Sequence, residues 1–250
     1  MRTELHAQGI EIVTVSLDLA GAEGSRRFIE AARPEHPSLI DPTHQMDALF
    51  GVVNIPNVVW IDEQGTIVRP AEPGWPGGRQ ELPKGLLASL PKMGRAPKAP
   101  PPPEGERDPR AVLATGQDRD TYHEAIRDWV AKGAGSSYVL TPAEVIARSQ
   151  PRAITKSEGA AHFELANHLW TQGQRDRAIA HFNESNRLQP ENWTYKRQAW
   201  SLQGRERVGG DYGQFVQGPL EGEEQAWPFE SDFWSDVAVV GAGEYYPKTL

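Results

Sequence analysis

The sequence predicts an α/β unit followed by an all-α unit with an irregular, aromatic-rich C-terminal tail. Three observations carry this. Strand-type and helix-type apolar runs alternate over residues 1–92, as in a layered α/β structure. Residues 93–110, MGRAPKAPPPPEGERDPR, hold six prolines and little apolar surface, the composition of a polyproline II linker. Beyond it, over 111–204, the apolar spacing is helical, and the remaining residues 205–250 follow no period.

In the first unit, Ile10, Ile12, Val13, Val15 and Leu17 form a β-branched run ending at Asp18, which reads as a strand buried on both faces. Residues 25–32 fit a helix with Phe28, Ile29 and Ala32 inward and Pro34 past its end. Leu39-Ile40 is a short extended piece. Thr43 is placed to cap a helix carrying Met46, Leu49 and Phe50, closed by Gly51. Residues 58–61 form a second strong strand, 62–65 a turn, and 66–68 the returning hairpin partner. After a loop containing Trp75, residues 82–90 fit a helix with Leu86, Leu87 and Leu90 on one face.

In the second unit, Thr121-x-x-Glu124 reads as a capping box for a helix with Tyr122, Ala125, Ile126, Trp129 and Val130 inward. Thr141-Pro142-Ala143-Glu144 is a fuller one, with Pro at the first helical position. From Ser157 the spacing is regular: His162, Leu165, Ala166, Leu169, then Gly173, Ala178, Phe182, Ser185 and Pro190. Residues 159–192 thus resemble one tetratricopeptide repeat, with small residues where two helices approach and large ones filling the gaps. His162 and Leu169 stand where that repeat usually has Trp and Tyr. Tyr195, Ala199 and Leu202 belong to a partial next helix. The tail holds Tyr212, Phe215, Trp227, Phe229, Phe233, Trp234, Tyr245 and Tyr246, too many aromatics for a disordered segment, so it is expected to pack on the helices, with a short strand at 237–240.

Composition excludes several functions. The 250 residues carry 26 Lys and Arg against 34 Asp and Glu, a net charge of −8, which does not suit phosphate backbones or anionic lipid, so no nucleic acid partner is expected. No stretch approaches the roughly 20 apolar residues of a membrane span, and the first residues lack a signal-peptide core. As written the chain reads as cytoplasmic; export stays open if the true start lies upstream. There is no cysteine, hence no disulfide, thiolate metal site or cysteine nucleophile. No cofactor is expected.

The missing cysteines matter because of what residues 9–69 resemble. The stretches 9–18, GIEIVTVSLD, then Leu39-Ile40-Asp41, then 49–68, LFGVVNIPNVVWIDEQGTIV, are similar to the middle and end of a thioredoxin fold of the thiol–disulfide oxidoreductase and alkyl hydroperoxide reductase (peroxiredoxin) type. The resemblance implies that Pro56, after Ile55, is a cis proline opening the second-last strand beside the redox cysteines. The family's cysteine pair starts the helix before the strand at 10–17. Only the end of that helix, residues 1–8, is present, and the preceding strand, central in the family's sheet, is absent. Three accounts stand open. The start at Met1 is misplaced or fragmentary, which is the expectation adopted; strand 10–17 pairs directly with 58–61; or another segment, such as 237–240, or a partner chain fills the gap.

Other chemistry is weaker. His162, Glu164 and His168 lack the His-Glu-x-x-His pattern of a metal helix, and His36 and His44 have no thiol to serve. Gly133-x-Gly135 is no phosphate loop, and Glu221, Glu223 and Glu224 read as a solvated acidic cluster. The resemblance implies disulfide or peroxide reduction, which needs a thiolate; the chain as given is therefore expected to be redox-inactive. The alternative is an interaction module in which the helical unit binds a protein or peptide, through a groove including Asn167 and His168, with the α/β half as scaffold.

Overall fold

A computed structural model describes residues 1–74, 91–101, 119–149, 153–210, 213–223 and 227–245. The helix expected at 82–90, the Trp75 loop and the linker beyond residue 101 lie outside the described residues. The chain is mixed α/β, with two small sheets and mostly helices in its C-terminal half. It forms two compact units, and the division is not a single cut. Residues 1–74 and 119–149 make one; residues 91–101 and 154–245 supply the other.

The first unit opens with α1 (Arg2–Leu5) and a 3₁₀ turn (His6–Gln8) that ends at Gly9, whose φ of 103° suits glycine. β1 (Thr14–Ser16) runs parallel to β2 (Ser38–Ile40), with Thr14 opposite Ser38 and Ser16 opposite Ile40. Parallel neighbours need a crossover, supplied by α2 (Gly21–Ala32). β3 (Asn57–Ile61) and β4 (Ile67–Pro73) form an antiparallel hairpin with register shifts around Trp60. Its turn is tied by Asp62, whose side chain accepts from the amides of Gln64 and Thr66, and by Gly65 at φ 80°.

Several expectations fail here for physical reasons. The strand expected at 10–17 is only three residues long, and it is not buried on both faces: Val13 is 53% exposed and Thr14 is exposed too. A strand buried on both faces needs neighbours on both edges and layers above and below. Among the described residues β1 has only β2. Direct pairing of 10–17 with 58–61 does not form, since β3 pairs with β4 alone. In α2 the buried residue is Ser25, bonded to Ser16 at 2.6 Å, while Phe28 is exposed beneath Arg27. In α3 (Gln45–Phe50), Asp47 is buried and Leu49 is exposed, the reverse of the apolar spacing.

The unit's core gathers on the hairpin instead. Trp60 packs with Leu5, Tyr122, Ala125 and Ile126, and with half-buried Ile10, Val58, Val68, Trp129 and Val130. Trp60 donates to the Tyr122 hydroxyl at 2.9 Å and stacks on Trp129 with ring centroids 4.8 Å apart. Burial pushes the Tyr122 phenol up, so it stays neutral. This contact draws α4 (Arg119–Lys132) to the sheets, although sequence grouped it with the repeat. Thr121 lies inside α4 rather than at its cap. α5 (Pro142–Arg148) belongs to the same unit and has the complete capping box: the Glu144 amide donates to Thr141 Oγ1, and the Thr141 amide donates to Glu144.

The second unit is built on α6 (Ile154–Thr171), α7 (Arg175–Leu188) and α8 (Trp193–Val208). α6 and α7 lie antiparallel with Ala166, Ala178, Phe182 and Ser185 buried between them. Phe163 stacks on Tyr195 with centroids 4.0 Å apart, joining α6 to α8. The third helix is therefore full length rather than partial. Residues 92–96, expected in or beside a free linker, are docked: Met93 bridges Leu220 in antiparallel fashion, and the Ala96 amide donates to Asp232.

The tail covers α8. Val216, Trp227, Phe229, Phe233, Val237 and Tyr245 are buried. Residues 237–240 are not a strand but the end of α9 (Phe233–Val240), followed by α10 (Ala242–Tyr245). Asp232 caps α9 by accepting from the Ser235 amide at 2.9 Å, and that cap overrides the β-branched composition. Being helical, 237–240 does not fill a gap in the sheet. Lys196 on α8 donates to Asp236 on α9 at 2.6 Å, both largely buried.

Candidate functional site

Ligands of open α/β sheets bind beyond the carboxyl ends of parallel strands, so the segments following β1 and β2 are the place to look. Asp18 follows β1. Its carboxylate accepts from the Ala20 amide at 2.9 Å and lies where a Cβ on Gly24 would stand, 2.4 Å away, which keeps residue 24 small. Asp41 follows β2 and is buried. Its amide donates to the Ser16 carbonyl at 2.9 Å, and its carboxylate accepts from the Met46 amide at 2.7 Å and the Thr43 hydroxyl at 3.0 Å. Asp41, not Thr43, thus serves the amino end of α3.

Burial alone would push Asp41 up, but the amides of Met46 and Gln45 and the Thr43 hydroxyl outweigh it and hold the carboxyl below its ordinary range. A depressed carboxylate stabilises the fold above its unfolded pKa, and this is lost as pH falls through the folded one. Asp41→Asn is therefore expected to flatten part of the acid limb of the stability curve below about pH 4. Urea midpoints between pH 6 and pH 3 test this; an unchanged acid limb in the variant refutes it.

His44 and Asp47 form a buried couple that sequence did not single out. Both are about 1% exposed, and His44 Nδ1 is 3.2 Å from Asp47 Oδ2. His44 has φ 58°, a left-handed conformation uncommon outside glycine. Burial raises the Asp47 carboxyl against the opposing hydrogen bond from His44. The spacing His44-x-x-Asp47 was the available signal. His36 lies half-buried before β2. Among the described residues, no group of three or more His, Asp or Glu is arranged to hold a metal.

Pro56 opens β3, and the Ile55–Pro56 peptide is cis. Ile55 is 38% exposed, and its amide donates to the neighbouring Asn54 side chain at 2.9 Å. That donor is thus already engaged. In the helical unit Asn167 is half-buried on α6 and His168 exposed beside it, where its carbonyl accepts from Thr171 Oγ1. Leu165 is 43% exposed one turn away. Among the described residues no helix is long and apolar enough to cross a membrane. The chain matches no protein family, no curated protein and no solved structure.

Proposed function

We propose that this protein is a thioredoxin-fold member of the thiol–disulfide oxidoreductase and peroxiredoxin lineage, redox-inactive in the 250-residue form because the cysteine pair and its strand are missing. One observation carries the reading. A parallel pair, β1–β2, and an antiparallel hairpin, β3–β4, occur in one compact unit without pairing to each other. The lineage places its central strand between the counterparts of these two pairs. The exposure of Val13, Leu39 and Ile40 supports this reading. Pro56 at the start of β3 stands where the lineage keeps a proline.

Nucleophilic attack on a disulfide or peroxide requires a thiolate, and none is available. The 250-residue chain is expected to turn over neither insulin disulfides nor hydroperoxides above the buffer rate. Reproducible turnover of either would overturn the inactive assignment. The helical unit, with Leu165 and His168 exposed on one face of α6, is the part we assign to contact with a protein or peptide.

A further inference from the structure

The seam between α6 and α7 carries two imidazoles face to face. Nδ1 of His162 and Nδ1 of His181 are 2.8 Å apart, both half-buried. Their ring centroids are 4.9 Å apart, so the nitrogens point nearly at one another rather than at a shared third position. This is an N–H···N hydrogen bond, and it needs one donor and one lone pair. An imidazolium donates from both nitrogens, so two of them facing at this distance lose the bond and set like charges in contact.

The surrounding charges do not remove that conflict. On α7, Arg177 and Glu184 act on His181 with opposite signs; Glu184 also acts on His162 and is itself held by Arg187. On α6, Glu158 lies one turn before His162 and acts on Arg187. Burial, then His162 and Arg177, hold the His181 imidazole below its ordinary pKa against the pull of Glu184. The next residues along both helices, Phe163 and Phe182, meet edge to face at 5.6 Å, and Phe182 touches Phe229 of the tail. A change at the histidines therefore reaches the packed centre of the unit.

We propose that His162 and His181 form a one-proton clasp across the α6–α7 seam, closed at neutral pH and released in acid when a second proton enters. The sign follows from linkage. With the folded pKa below the unfolded one, the unfolded chain binds more protons as pH falls through about 6.5, so stability declines from there until the folded pKa is passed.

The test is a histidine ¹⁵N titration of the full chain from pH 8 to pH 4.5, paired with thermal unfolding across the same range. The two imidazoles should titrate as a coupled pair, the second proton entering below the ordinary histidine range. The melting temperature should fall through that window. In His181→Asn and in His162→Asn the acid-induced drop should shrink, while His36→Asn should leave it unchanged. Independent titration of both rings at the ordinary value in the intact chain would overturn the clasp. So would a drop that persists undiminished in both seam variants.

Discussion

Gly204→Ala is expected to lift the tail off α8 and to destabilise the second unit at or beyond the upper end of the roughly 1–3 kcal/mol typical of overpacking. A Cβ built on Gly204 would stand 2.2 Å from the Val216 carbonyl oxygen and 2.4 Å from that of Gly213. Both obstacles are backbone, so no side-chain rotation relieves them. The 213–216 turn must move, and fully buried Val216 moves with it. Its polar ties would go as well: Ser201 Oγ donates to the Gln214 carbonyl at 2.8 Å, and Gln217 donates to Ser201 Oγ at 3.0 Å. Urea denaturation followed by tryptophan fluorescence reads the effect, because Trp193, Trp200 and Trp227 lie buried in this unit. Gly135→Ala is the control, since nothing stands within 4 Å of its Cβ position, and it should change stability by no more than about 0.5 kcal/mol. Equal midpoints for the two variants would mean that the turn does not sit against α8.

The helices that sequence reads well are those whose ends carry local chemistry. Thr141-Pro142-Ala143-Glu144 specifies its helix start because Pro142 fixes the first helical φ and Glu144 returns a bond to Thr141. Thr121-x-x-Glu124 has the same outer pattern without the proline, and Thr121 lies inside α4. The α6–α7 pair is legible because Ala166, Ala178 and Ser185 are the small residues that close helix approach demands. Residues 237–240 illustrate the opposite. Their β-branched composition suggests a strand, but Asp232, five residues upstream, sets a helix by accepting a hydrogen bond from the Ser235 amide and also accepts one from the Ala96 amide across the unit. That second bond spans a sequence separation that no local pattern reports.

The candidate site is less legible for a related reason. The sequence reading marks Met46, Leu49 and Phe50 on this helix, yet α3 buries a carboxylate. Its burial is compensated by one imidazole, His44, which is itself held in a left-handed turn. Pairwise polar compensation of this kind leaves no periodic trace. The short β1 and its exposed neighbours are likewise invisible to composition, because the residues 10–17 carry every mark of a buried strand. Among the described residues they have no partner on the second edge, and pairing is a property of the sheet rather than of the strand.

Glu72→Ala is expected to cost about 3–5 kcal/mol, the range for breaking one side of a buried ion pair. Arg69 and Glu72 are 4% and 5% exposed. The guanidinium is bidentate on the carboxylate, with Nη2 at 2.8 Å, and its third arm donates to the Tyr138 carbonyl at 2.6 Å. It also lies over the Trp60 ring at 5.5 Å. Removing the carboxylate strands a cation among apolar groups with one carbonyl left to satisfy it. The double variant Arg69→Met/Glu72→Leu should recover most of the loss, since apolar replacement of a buried pair is often neutral or stabilising. Urea midpoints for the two variants, compared with the unmodified chain, separate the penalty of the orphaned charge from the net worth of the pair. The outcome also bears on how the first unit is assembled. The third arm of Arg69 and the bond from the Leu140 amide to the Val68 carbonyl are what tie the segment after α4 to the hairpin. A loss below about 1 kcal/mol, the value of an exposed pair, would mean that water reaches Arg69 and that residues 136–140 do not cover β4. In that case α4 would be held to the hairpin by Tyr122 and Trp129 on Trp60 alone.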